Sequence, residues 1–188
     1  MSKKTIIGLC SFAGFGKDQV GKILVSKGYK RIAFADKVKE DFINLPVNQE
    51  RFNFDKPLTL DELEKDKDYY RNRLIAYAEE MRNQDPLYWL KLVKDEIENG
   101  EENIVITDVR RVPEIDYLND LKEKGYNVKL INIYRPYSNG GKFDFDGETC
   151  KAILYGEYGG YFDCRIINAS TQEELNNVVE QLIIDFKL

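Results

Sequence analysis

Between Ser11 and Asp18 the chain reads Ser-Phe-Ala-Gly-Phe-Gly-Lys-Asp, with an apolar run before it and a helical pattern after it. Consecutive amides, two glycines free to take unusual dihedrals, and the partial positive charge of a helix N-terminus together suit a cradle for phosphate groups. Ala13, Gly14, Phe15, Gly16, Lys17, Asp18 and Gln19 are the residues expected around those phosphates. Lys17 is placed to reach the β- and γ-phosphates of a nucleotide. The pattern G-x-x-x-x-G-K-[ST] is broken at both ends: Ser11 replaces the first glycine and Asp18 the hydroxyl residue that usually serves Mg²⁺. A carboxylate at position 18 can serve the cation directly or through water, but it adds negative charge beside the phosphates.

Other charged residues fall at spacings that suit the same chemistry. Ile104-Val-Ile-Thr-Asp108 is an apolar run ending in an acid, and ligands collect beyond the carboxyl ends of parallel strands. Asp108 there could organise Mg²⁺ through water or orient an acceptor. Arg110 and Arg111 follow it, where a guanidinium could hold a phosphate with two parallel hydrogen bonds. Arg71 and Arg82 are eleven residues apart, about three helical turns, so they share a face and form a candidate acceptor-side pair. Arg135 opens a long Gly- and Tyr-rich segment, where it could stabilise a phosphoryl group in transit. The plainer alternatives are a helix cap for Asp108, solvated faces for the arginines, and packing for Tyr88 and Trp89.

Composition narrows the chemistry. The 188 residues are 43% hydrophobic and 32% charged, a globular balance for one domain of ordinary size. The net charge of -5 argues against a nucleic-acid binder. There is no histidine, which excludes His-based triads and imidazole acid–base work. Cys10, Cys150 and Cys164 lack the spacing of a zinc site or a disulfide framework and read as free thiols. No stretch approaches the ~20 apolar residues of a membrane span, and the expectation is a cytosolic chain.

The elements that must hold these residues alternate between strand and helix. Strands are expected at Thr5 to Cys10, Arg31 to Ala35, Ile104 to Thr107, Val128 to Tyr134 and Arg165 to Asn168. Helices are expected from about Lys17 to Ser26 and from Asp36, as a cap, to Leu45. A helical region opens with the capping box Thr59–Glu62 and continues through Tyr69 to Arg82. Asp85 and Pro86 start a further helix to about Ile97, and another runs from about Pro113 to Lys124. A last amphipathic helix follows the box Ser170–Glu173. Strands separated by helices imply an α/β fold with a mainly parallel five-stranded sheet and helices on both faces. The segment Arg135 to Asp163 has the length of a functional lid.

The Gly-Lys-Asp loop resembles that of a subset of P-loop kinases, the phage and bacterial deoxynucleoside monophosphate kinases and the animal-type phosphomevalonate kinases. Phe34-Ala-Asp-Lys-Val-Lys39, Glu79 to Trp89 with its Arg82-x-x-Asp-Pro core, Thr107 to Glu114, Arg135-Pro136 and Asp163 to Asn168 are similar to later segments of these families. The resemblance implies a single P-loop three-layer sandwich of nucleoside-monophosphate-kinase type, with a helical acceptor region near 36–99 and a lid near 135–163. It implies ATP and Mg²⁺ as cofactors, with Asp18 and Asp108 as candidate metal ligands. It implies Lys17, Asp18, Asp108, Arg110 and Arg135 as catalytic residues, and Asp36, Lys39, Arg71, Arg82, Trp89, Arg110 and Arg111 at the acceptor. The expected acceptor is a deoxynucleoside monophosphate, with phosphomevalonate as the alternative; neither nucleic acid nor membrane is an expected partner. The chain is expected to be a monomer or homodimer in the cytoplasm, or in the host cytoplasm if phage-encoded. A P-loop regulator that binds nucleotide without transferring phosphate is the reading from another class.

Overall fold

The computed structural model describes residues 4–44, 58–136, 153, 157–169 and 171–186. These residues sort into two compact units, Met1–Ile32 with Asn99–Leu188, and Ala33–Glu98. Cys150, Lys142, Lys151 and most of the stretch read as a lid lie outside the described residues.

The first unit holds strands β1 (Thr5–Cys10), β2 (Lys30–Ile32), β3 (Ile104–Ile106), β4 (Asn127–Tyr134) and β5 (Cys164–Ile167). They form one sheet in the order β2-β3-β1-β4-β5, and every neighbouring pair is parallel. Parallel neighbours need crossovers long enough for a helix, and those helices cover the sheet on both faces. Alternation along β1 decides which residue meets which helix. Ile7 and Leu9 join Val105, Ile131 and Ile133 in a core with Val20 and Leu24 of α1 (Lys17–Ser26) and Leu175, Val179 and Leu182 of the C-terminal helix. On the opposite face Gly8 lies under α6 (Val112–Glu123). A Cβ at Gly8 would come within 2.8 Å of Leu118 and of Leu130, so only glycine lets this helix sit so low on the sheet.

The C-terminal helix, α7 (Gln172–Asp185), is opened by Thr171, whose hydroxyl accepts from Glu174 N–H at 3.3 Å while Thr171 N–H donates to the Glu174 carboxylate at 3.1 Å. The helix thus opens on a Thr171–Glu174 capping box, one position beyond the expected Ser170–Glu173 pair, whose Ser170 lies outside the described residues.

The second unit contains α2 (Phe34–Asn44), α3 (Leu60–Lys65), α4 (Lys67–Gln84) and α5 (Tyr88–Asn99). The box Thr59–Glu62 opens α3 as expected. The helical region beyond it is two helices, because Asp66 breaks it with φ −119° and ψ 42°. Phe42, Tyr77 and Trp89 are buried and meet edge to face, with centroids 5.6 Å apart for Phe42 and Tyr77 and 5.9 Å for Tyr77 and Trp89. The helix expected to begin at Asp36 begins at Phe34, which is buried. Asp36 therefore lies in the first turn, where its charge suits the helix dipole, and is not the cap. No helix among the described residues is long and apolar enough to cross a membrane.

Candidate active site

Strands β1 and β3 are neighbours, yet the chain leaves them on opposite faces: β1 feeds α1, and β3 feeds α6. Where neighbouring strands send their connections apart, a crevice opens at their carboxyl ends. The loop Ser11–Gly16 and the turn Thr107–Arg111 flank that crevice.

The loop is shaped by its glycines. Gly14 has φ 78° and Gly16 has φ 100°, both in the left-handed region. Gly16 caps α1, and its carbonyl accepts from Gln19 and Val20 N–H, each at 3.1 Å. Phe15 is buried and meets the edges of Phe12 at 5.3 Å and Tyr134 at 6.0 Å, so apolar packing roots the loop at the end of β4. Lys17 is only 6% exposed, whereas Ala13, Gly14, Asp18 and Gln19 are exposed. The loop therefore presents its backbone outward and keeps its lysine beneath.

The turn after β3 is fixed from both sides of Asp108. Thr107 N–H donates to Ile32 carbonyl at 3.1 Å, and Val109 N–H to Leu9 carbonyl at 3.2 Å. Asp108 itself is half-buried, as are Arg110 and Arg111. One residue given no role above sets the course of this turn. Glu114 is 7% exposed, and its Oε2 accepts from Arg110 N–H at 2.7 Å and from Arg111 N–H at 3.0 Å. Its place three residues beyond the N-cap Arg111 was the signal, since a glutamate at that position turns back to orphan amides. Asn168, at the end of β5, was also given no role. It is 5% exposed, and its amide Nδ2 donates to Phe15 carbonyl at 3.0 Å. Arg135 is exposed just past β4. Cys164 is not a nucleophile near neutral pH, because burial, reinforced by Asp163, pushes its thiol up to about 11.

The remaining acceptor candidates lie in the second unit. Arg71 and Arg82 share α4, with Arg71 exposed and Arg82 paired to Glu79 at 2.6 Å. Lys39 is held between Asp36 at 3.0 Å and Glu64 at 2.5 Å. Burial opposes the Lys39 charge, but hydrogen bonds to Glu64 and Asp36 outweigh it and raise its pKa above the ordinary lysine value. Lys39 is thus neutralised by two carboxylates. Trp89, expected at the acceptor, is buried at 2% exposure, and its indole N–H donates to Ala78 carbonyl at 3.2 Å. It packs the helical unit and offers no face for a base to stack on. Arg73 lies on Tyr69, 4.4 Å from the ring centroid.

Among the described residues no group of three or more carboxylate or thiol side chains gathers as a metal cage. Mg²⁺ beside a nucleotide needs only one or two carboxylates, with phosphate oxygens and water completing its shell. Asp18, exposed in the first turn of α1, and Asp108, just past β3, fit that role.

A family profile described as phosphomevalonate kinase matches residues 15–124. No curated protein sequence matches the chain. Among solved structures, a shikimate kinase from Acinetobacter baumannii in complex with shikimate is 13% identical and has a TM-score of 0.52, covering 100% of this chain and 96% of that one. A shikimate kinase from Bacteroides thetaiotaomicron is 16% identical with a TM-score of 0.50, covering 98% of this chain and 99% of that one. TT1252 from Thermus thermophilus is 13% identical with a TM-score of 0.51, and covers 98% of both chains. At these identities the likeness is one of fold.

Proposed function

Because the chain belongs to the phosphomevalonate kinase family and is a P-loop kinase, we propose that it transfers the γ-phosphoryl group of ATP to the phosphate of a small acceptor, with phosphomevalonate as the first candidate. The observation that carries this reading is the buried Lys17 at the start of α1, beneath a loop bent by two left-handed glycines beside the β1–β3 crevice.

In this reading the loop amides and Lys17 hold the β- and γ-phosphates, and the transfer needs positioning and charge stabilisation more than covalent chemistry. Mg²⁺, held by Asp108 or Asp18 directly or through water, would neutralise charge on the phosphate oxygens. Arg110 and Arg111, in the turn that Glu114 shapes, grip the acceptor phosphate. Arg135 meets charge that develops on the transferred group, and Arg71 and Arg82 assist on the acceptor side. Lys39, paired with Asp36 of its own helix and with Glu64 of α3, acts by holding α2 and α3 together. The acceptor phosphate is itself a nucleophile near neutral pH, so the absence of histidine is no handicap. The product is a diphosphate.

A deoxynucleoside monophosphate is the second reading. The profile stops at residue 124, leaving β4, β5 and α7 outside the match, and the Arg-x-x-Asp-Pro segment suits either acceptor. The burial of Trp89 counts against it, since a base loses its most evident aromatic platform.

An assay coupled to ADP formation decides. Phosphomevalonate should support turnover and the deoxynucleoside monophosphates should not; the reverse pattern moves the acceptor to the second reading, and ADP formation with neither rejects both. Lys17→Ala should retain the far-UV spectrum of the parent while kcat falls by roughly 100-fold or more, the scale of losing one transition-state donor.

A further inference from the structure

Asn168 lies 153 residues beyond Phe15 in the chain, yet its buried side-chain amide donates to the Phe15 carbonyl at 3.0 Å. The orientation of that amide follows from its partner. A carbonyl accepts, so the NH₂ and not the oxygen must face it. The backbone N–H of Asn168 is itself anchored, donating to Tyr134 carbonyl at 2.8 Å at the end of β4. Asn168 thus ties the loop to the carboxyl ends of both β4 and β5. The fit extends one residue further, because a Cβ on Gly16 would fall 2.3 Å from Nδ2 of Asn168.

The peptide unit between Phe15 and Gly16 is planar and trans, so its carbonyl and its N–H point in opposite directions. Fixing the Phe15 carbonyl on Asn168 fixes the direction of the Gly16 N–H. We propose that Asn168 is a positioning residue for phosphoryl transfer, aiming the Gly16 amide at the nucleotide phosphates by holding the Phe15 carbonyl turned away from them. This rests on the ATP-binding reading of the loop. Gly16 is glycine for two separate reasons on this account: its φ of 100°, and the space that the Asn168 amide occupies.

The test measures binding of Mg-ATP by calorimetry together with steady-state constants on the full chain. Asn168→Asp preserves the shape of the side chain but replaces the donor with an oxygen that repels the carbonyl; Asn168→Ala removes both. Each should keep the parent far-UV spectrum and weaken Mg-ATP about tenfold or more, with Asp the worse of the two and with KM for the acceptor within about twofold of the parent. Parent-like Mg-ATP affinity in either folded variant, or equal losses for ATP and acceptor, would overturn the proposal. Should Asn168→Asp fail to fold, Asn168→Ala alone decides by the same split between ATP and acceptor. If the parent chain itself does not bind Mg-ATP, it is the reading of the loop that falls, an outcome separate from the variants.

Discussion

At the scale of single residues, the site is a set of backbone directions enforced by buried polar side chains. Glu114 shows how much rests on one carboxylate. It gives an acceptor to two part-buried amides of the turn after β3 that would otherwise lack one within the turn. Glu114→Ala should destabilise the chain by about 2 kcal/mol or more, as two donors lose their acceptor. It should also raise the acceptor KM, because Arg110 and Arg111 lose their fixed backbone. Chemical denaturation and acceptor titrations measure the two effects separately. Such residues differ in how visible they are before folding. The loop from Ser11 to Asp18 is legible because its signal is contiguous. Glu114 was legible in principle, lying three positions from the residue it serves. Asn168 was not, since nothing local ties an asparagine at a strand end to a carbonyl 153 positions away.

At the scale of elements, the strands and helices were legible and their ends less so. The expected strand Arg31 to Ala35 stops at Ile32, and the next helix starts at Phe34. An apolar run such as Ile32-Ala-Phe34 serves equally to end a buried strand or to begin a buried helix turn, so periodicity alone cannot split it. The tight seat of α6 on the sheet was equally hidden, since it depends on a glycine facing two leucines. Gly8→Ala should cost about 1–3 kcal/mol by forcing Leu118 and Leu130 apart, read as a shift in denaturation midpoint. Between α2 and α3, the Lys39–Glu64 pair gives a pH signature. The hydrogen bond from Lys39 lowers the Glu64 pKa, against an opposing effect of burial. That contribution is present above the unfolded glutamate pKa, ~4.3, and is lost as pH falls through the lower folded value. Lys39, raised in the fold, contributes below the ordinary lysine pKa and loses its share as pH rises through the raised value. Glu64→Gln should therefore flatten the acid-side loss of stability in melting curves taken across acid pH, while leaving the alkaline side with a smaller loss.

At the scale of the whole molecule, the chain order and the spatial order diverge. The first compact unit is assembled from two stretches, with the helical unit Ala33–Glu98 inserted between β2 and β3. The parallel sheet followed from alternating elements, but the order β2-β3-β1-β4-β5 did not, because the alternation says nothing of which strands become neighbours. The C-terminal helix completes the core over α1. Truncation after Thr171 removes Leu175, Val179 and Leu182, each worth about 1.5–3 kcal/mol of burial. That sum rivals the entire stability of an ordinary domain, ~5–15 kcal/mol. The truncated chain should be insoluble or lack a cooperative melt, and a cooperative transition near that of the parent would contradict this account.

The bond from Asn168 to the Phe15 carbonyl also sets a timetable. Phe15 leaves the ribosome 153 residues ahead of the asparagine that fixes its carbonyl. Until the fifth strand emerges, a nascent chain carries its nucleotide cradle with the Phe15 peptide untethered. The loop therefore reaches its final shape only once the sheet is complete.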